Sequence, residues 1–102
     1  MQAVGFVEVY GTVAAFVAAD AACKAANVTI EAFDNNKPLN ADKLPVPLIM
    51  LVKLRGSIAD VRAAVEAAVE AANKVSGVVT SHVIPRPEDD TQKLLKINCL
   101  AK

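Results

Sequence analysis

The side chains able to do chemistry are few and scattered: Cys23, Cys99, Ser81, His82 and the adjacent pair Asp89 and Asp90. Two cysteines so far apart do not make a paired zinc or redox motif, and a structural zinc site needs about four ligands. One histidine cannot build a histidine-rich metal centre. Ser81 and His82 follow each other on a predicted strand, so their side chains leave on opposite faces and do not pair as nucleophile and base. His82 is therefore expected to be a structural or surface residue. Asp89 and Asp90 point apart on a helix and are expected to charge its first turn. Glycines stand only at 5, 11, 56 and 77, which excludes a phosphate-binding loop and a dinucleotide fingerprint. Cys23, in mid-helix, reads as a small buried hydrophobe, and Cys99, in an exposed tail, as a free thiol. The expectation is a chain with no catalytic residue, no cofactor site and no metal site.

The elements that carry these residues follow from hydrophobic period. Residues 3–10 alternate with apolar groups on both faces, the pattern of a central strand. Gly11-Thr12 breaks it and offers a helix N-cap. Residues 13–26 are rich in alanine, with Val13, Phe16, Val17 and Ala21 on one helical face. Asn27 tolerates the left-handed conformation and is expected to stop that helix. Residues 28–33 form a second strand and residues 48–55 a third, ended by Gly56. Ser57 is expected to cap the next helix, with Asp60 in its first turn. Its apolar stripe is Ile58, Val61, Val65, Ala68, Val69 and Ala72, while Glu70 and Lys74 pair at i,i+4 on the other side. Gly77 closes it. Residues 78–84 make a fourth strand stopped by Pro85 and Pro87, residues 88–95 a short helix and 97–102 a tail. The order β-α-β-β-α-β with a short C-terminal helix predicts an α+β fold of the ferredoxin-like split βαβ type: one domain over 1–102, its four-stranded sheet carrying two helices on one face.

Composition narrows the partners. Across 102 residues, 11 basic side chains balance 11 acidic ones, which argues against nucleic acid or an anionic membrane. Hydrophobic residues are 54% of the chain but aromatics only 4%, so the apolar surface is mostly alanine and valine. A domain of this size buries only about two-thirds of its unfolded surface. Some of the apolar excess is therefore expected outside the protomer, and self-association with it. No apolar run approaches the roughly 18 residues that span a bilayer. The N-terminus lacks a basic stretch followed by a hydrophobic run, so a cytoplasmic protein is expected.

One segment does not fit a small hairpin. Between the second and third strands, residues 34–47 give about fourteen positions with three prolines, where two to five would be usual. Its stiff end Pro45-Val46-Pro47 leads into an apolar run, which suits packing against a partner subunit.

Four motifs, in order along nearly the whole chain, resemble the shell proteins of bacterial microcompartments, in particular the single-domain, hexamer-forming type with one BMC domain. They are Val4-Gly5-Phe6-Val7-Glu8-Val9-Tyr10-Gly11; Ala18-Ala19-Asp20-Ala21-Ala22-Cys23-Lys24-Ala25-Ala26-Asn27-Val28; Arg55-Gly56-Ser57-Ile58-Ala59-Asp60-Val61; and His82-Val83-Ile84-Pro85-Arg86-Pro87. The resemblance implies a non-enzymatic structural tile in a shell within the cytoplasm. It also implies a homohexamer, other shell proteins and encapsulated enzymes as partners, and a central pore for small metabolites. By the same resemblance Lys24, with Asn27 beside it, lies along the tile edge, and Arg86 reaches into the neighbouring tile.

The family's short glycine/serine turn that lines the pore is replaced here by the long loop, so the resemblance assigns the pore lining to Lys43, Leu44, Pro45, Val46 and Pro47. This loop is similar to that of a divergent branch associated with glycyl-radical-enzyme microcompartments. Some members of that branch carry a cysteine between two prolines there and hold an iron–sulfur cluster. Val46 has no ligand atom, so no cluster is expected. A second reading of the same fold is a regulatory module binding a small effector, like trimeric nitrogen-signalling proteins. It predicts discrete trimers with ligand clefts, whereas the shell reading predicts rings that extend into sheets or tubes. A metal-handling ferredoxin-like domain is disfavoured because Cys23 and Cys99 form no paired motif.

Overall fold

In the computed structural model, which describes residues 2–99, the patterned segments become β1 (Ala3–Tyr10), α1 (Thr12–Ala25), β2 (Thr29–Asn36), a 3-10 turn (Ala41–Lys43), β3 (Ile49–Gly56), α2 (Ile58–Asn73), β4 (Val78–Ile84) and α3 (Asp89–Leu95). The four strands form one antiparallel sheet in the order β2-β3-β1-β4. This is the split βαβ arrangement that the element order predicts, and β1 lies in its interior as the two-faced apolar pattern requires.

Register sorts the two faces of the sheet. Gly5, Val7 and Val9 stand opposite Leu54, Val52 and Met50, and all of these are buried under the helices. A Cβ on Gly5 would come within 2.6 Å of Val65 Cγ2 and 2.8 Å of Val61 Cγ1, so the missing side chain sets how closely α2 approaches β1. Most of the α2 stripe is placed as expected, with Val61, Val65, Ala68 and Ala72 buried and Val69 packed against the core, but Ile58, the first residue of the helix, is exposed. Ser57 caps the helix by accepting the Asp60 N–H at 3.1 Å.

In α1 the expected face is reversed. Ala14, Ala15, Ala18, Ala19 and Ala22 are buried, while Val13 is 67%, Phe16 51% and Val17 37% exposed. α1 packs against both α2 and the sheet, and in that double contact only alanine-sized side chains allow the approach. The larger apolar residues are left facing outward.

The ends of the elements also differ in places from expectation. α1 starts from Gly11, whose φ of 89° is open to glycine, with no side-chain cap from Thr12. It ends through Ala26 in an extended conformation, so Asn27 does not stop it by turning left-handed. α2 ends at Asn73, short of Gly77. β2 runs on through Asp34, Asn35 and Asn36, which pair with Leu51, Met50 and Ile49. Their backbones gain a full ladder while their polar side chains are half-buried or exposed, so the ladder outweighs poor strand propensity. The connection to β3 is thus residues 37–48.

The face of the sheet away from α1 and α2 is partly covered by α3. Lys53 and Arg55, alternating with Val52 and Leu54, point to this side. Only 3% of Lys53 and 7% of Arg55 is exposed.

Candidate functional site

The residues assigned by resemblance fall at opposite ends of the sheet. At one end, Thr29 pairs with Arg55, Ala3 with Gly56 and Val4 with Ile84. The chain leaves α1 here through Lys24 and Asn27, and leaves β4 here through Arg86. At the other end, Asn36 and Tyr10 both pair with Ile49, and the 37–48 connection emerges. Strands of eight residues separate the two groups by about 25 Å at roughly 3.3 Å per residue.

At the first end, Lys24 is exposed and its Nζ lies 2.8 Å from Asp20 Oδ2, one helical turn back. The hydrogen bond and charge of that carboxylate raise the Lys24 pKa above the ordinary lysine value, so the group is a cation across the physiological range. Asn27 is exposed, and its backbone N–H donates to Asp60 Oδ1 at 3.4 Å. That contact ties the end of α1 to the start of α2. A Cβ on Gly56 would meet the Asn27 carbonyl at 3.0 Å, so Gly56 permits the close crossing. Arg86 is exposed between two prolines and borders an open depression of about 370 Å³ with Pro87, Glu88 and Asp89.

At the second end, the 3-10 turn buries Ala41 and leaves Lys43 exposed. Leu44 N–H closes the turn onto the Ala41 carbonyl at 3.2 Å, and Gly11 N–H donates to the Leu48 carbonyl at 2.8 Å. Val46 is half-buried, with its Cγ1 3.4 Å from where a Gly11 Cβ would stand. Pro45 and Pro47 are exposed, Leu44 is half-buried, and Leu39 is fully exposed. The prolines and these backbone bonds fix the path of the loop while its outer side chains face water.

A third feature lies along the flank. Val13, Phe16 and Val17 form an outward apolar stripe on α1. Phe16 contacts Phe33 of β2 edge-on, with ring centroids 5.2 Å apart at 73°. Ile30 on the same helix-facing side of β2 is also exposed.

Other residues correct the sequence reading or escaped it. Cys23 is exposed on α1, not buried, because the buried face of that helix runs through Ala18, Ala19 and Ala22. Cys99 is half-buried rather than in an exposed tail. It packs against the core, and its N–H donates to the Phe33 carbonyl at 2.8 Å. The remainder of the predicted tail, residues 100–102, lies outside the described residues. His82 and Ser81 are exposed on adjacent positions of β4. Among the described residues no three metal-ligating side chains cluster, and no helix is long and apolar enough to cross a membrane.

Two cations that the sequence pattern does not single out, Lys53 and Arg55, are buried. Lys53 Nζ donates to the carbonyls of Ile97 at 2.8 Å and Leu94 at 3.4 Å. These lie at the C-terminal end of α3, where a cation is favoured. Arg55 donates through Nε to the Ala3 carbonyl at 3.2 Å and through Nη2 to the Gln2 carbonyl at 3.1 Å. The available signal was the i,i+2 spacing of two cations within an otherwise apolar strand.

Comparison with known proteins adds the following. Residues 3–87 match the family described as the BMC domain. The chain is 38% identical over 94 residues to the bacterial microcompartment shell protein PduA of Citrobacter freundii, covering 92% of this chain and 91% of that protein. It is 35% identical over 97 residues to the carboxysome shell protein CcmK2 of Synechocystis sp., covering 93% and 85%. It is 40% identical over 95 residues to the shell protein EutK of Escherichia coli K12, covering 93% of this chain but 52% of that protein. A crystal structure of a microcompartment protein from Desulfitobacterium hafniense shares the fold, with a TM-score of 0.72 at 24% identity over 100% of this chain and 51% of that one.

Proposed function

Because the chain belongs to the BMC-domain family of bacterial microcompartment shell proteins, we propose that its copies close into a homohexameric ring around the 37–48 connection and join ring to ring through Lys24, Asn27 and Arg86. It is a structural shell component and not an enzyme, and it self-associates to tile a facet with a central pore. The observation that best supports the finer reading is the opposition of the two residue sets. A tile needs an axis at one end of each protomer and a rim at the other, and about 25 Å of sheet separates them.

Copies meet along the α1 flank. A folded protomer that leaves Val13, Phe16 and Val17 in water has a contiguous apolar surface to bury. At the rim, arginine's planar fork suits several carbonyl acceptors across a flat seam, and a lysine stem can lie flat with its ammonium in water. Other shell proteins, and enzymes held inside, are the remaining partners of such a tile.

Electron microscopy at low salt tests the rim. Sheets or tubes of the native chain are expected to disappear in Lys24→Ala and in Arg86→Ala, with rings of unchanged mass by sedimentation. Discrete trimers that never extend, and that bind a small effector, are the opposite result and favour the regulatory module.

The pore lining is proposed to be Lys43, Leu44, Pro45, Val46 and Pro47. A cyclic assembly repeats each around the axis, giving a basic rim from Lys43 above a constriction of prolines and valine. Such a rim favours anionic metabolites weakly over cations. Lys43→Glu is expected to reverse that preference in flux measurements across assembled shells. Equal anion flux through both assemblies counts against the selectivity.

A further inference from the structure

We infer that Gln92 is a positioning residue for Arg86, holding the turn that presents the guanidinium across the tile edge. The inference rests on the reading of Arg86 as an edge contact. Arg86 stands between Pro85 and Pro87, which have no N–H groups, so the turn lacks two of the donors that would otherwise tie it down. It is held instead from below. Pro87 is fully buried, and its carbonyl accepts from Gln92 Nε2 at 3.4 Å. The other end of the same amide, Oε1, accepts from Arg55 Nη2 at 3.2 Å. Arg55 is in turn fixed to the carbonyls of Ala3 and Gln2 at the start of β1.

A continuous chain of contacts therefore runs from the sheet through Arg55 and Gln92 to the carbonyl one residue after Arg86. Only a side chain with a donor and an acceptor on one planar group serves both neighbours. Glutamate in its place keeps the acceptor for Arg55 and loses the donor to Pro87. Leucine loses both. With the turn fixed in advance, Arg86 has less freedom to lose when tiles meet, and the edge contact is correspondingly tighter.

The test compares Gln92→Leu, Gln92→Glu and Arg86→Ala with the native full chain. It measures the protein concentration at which sheets appear, ring mass, melting temperature and hydrogen exchange of a peptide covering 85–91. Both Gln92 variants are expected to form rings normally and to need about fivefold more protein to form sheets, the worth of one hydrogen bond. Exchange in 85–91 is expected to quicken while peptides from β1 and α2 hold their rates, a pattern that general destabilisation does not produce. Gln92→Glu, which keeps the Arg55 partner, is expected to melt as the native chain does and so separates assembly from folding.

Native sheet formation by both Gln92 variants, with Arg86→Ala defective, overturns the positioning role. Unchanged exchange in 85–91 despite lost assembly overturns it as well. Normal sheets from Arg86→Ala overturn the edge reading itself, and the inference with it.

Discussion

Val13→Asp is expected to split the proposed ring into folded protomers. Val13 is the second residue of α1 and 67% exposed, so the isolated protomer loses little burial. The first turn of α1 holds no acid, and a carboxylate there gains about 0.3–1 kcal/mol from the helix dipole. The isolated protomer is therefore expected to be as stable as a native protomer or slightly more so, and to melt below the native ring only by what assembly contributes. Between copies the sign is opposite. A carboxylate forced into an apolar contact beside Phe16 and Val17, without a partner, costs several kcal/mol for each interface. A ring repeats that cost at every joint. Sedimentation equilibrium is expected to give the protomer mass where the native chain gives the ring. A ring of native mass from Val13→Asp shows that the stripe faces solvent in the assembly and that copies meet elsewhere.

That stripe marks the limit of what period alone can reveal. Val13, Phe16, Val17 and Ala21 do share one helical face, and the expectation that such a face points inward fails because α1 has two neighbours at once. The spacing of apolar residues around a helix carries no information on how near its neighbours come, and here the helix–helix contact is too close for anything larger than alanine. In α2 the same reasoning succeeds beyond the exposed Ile58, since Val61, Val65, Ala68 and Ala72 are buried and Val61 and Val65 meet β1 at a glycine that leaves room. The order of strands followed from element sequence and from the two-faced pattern of residues 3–10, because few topologies bury such a strand.

The second and third strands show the converse. Asp34, Asn35 and Asn36 look like a loop by propensity, yet their backbones complete the ladder to β3, while the side chains of Asn35 and Asn36 are exposed and that of Asp34 lies 3.9 Å from Lys53 Nζ. Local composition is the weaker influence where a strand partner is already in place. The two cysteines exchanged roles for a related reason. The exposure of Cys23 depends on which alanines face α2, and the half-burial of Cys99 depends on a hydrogen bond to β2 from the far end of the chain. The grouping of Lys24, Asn27 and Arg86 as proposed rim residues comes from resemblance alone, since exposed polar side chains have no period. Gln92 gave no signal at all, for its meaning lies in Arg55 and Pro87, 37 residues before it and five before it.

The larger effect on folding is expected at Arg55. Arg55→Met removes a guanidinium that is 7% exposed and that joins the start of β1, β2 and α3. The carbonyls of Gln2 and Ala3 lose a charged donor, Gln92 Oε1 loses its partner, and Glu31, 3.5 Å away, loses its cation. Taking one member from a buried ionic network costs about 3–5 kcal/mol, here towards the lower figure because Glu31 and Gln92 are half-exposed and recover some hydration. For a domain of this size about 3 kcal/mol lowers the melting temperature by roughly 12–24 °C. Glu31→Gln keeps an acceptor for Arg55 but leaves the buried guanidinium to neutral acceptors alone, the carbonyls of Ala3 and Gln2 and Gln92 Oε1, so it is expected to destabilise, by less than Arg55→Met because those hydrogen bonds remain. The measurement belongs in the Val13→Asp background, where protomers unfold without the stabilisation that assembly lends at high concentration. Urea midpoints then report the fold alone. If Arg55→Met unfolds within experimental error of its parent, the guanidinium is only neutralising Glu31. The packing of α3 across the sheet would then depend on Lys53 and Leu95, and the support beneath the Arg86 turn would have to be sought there.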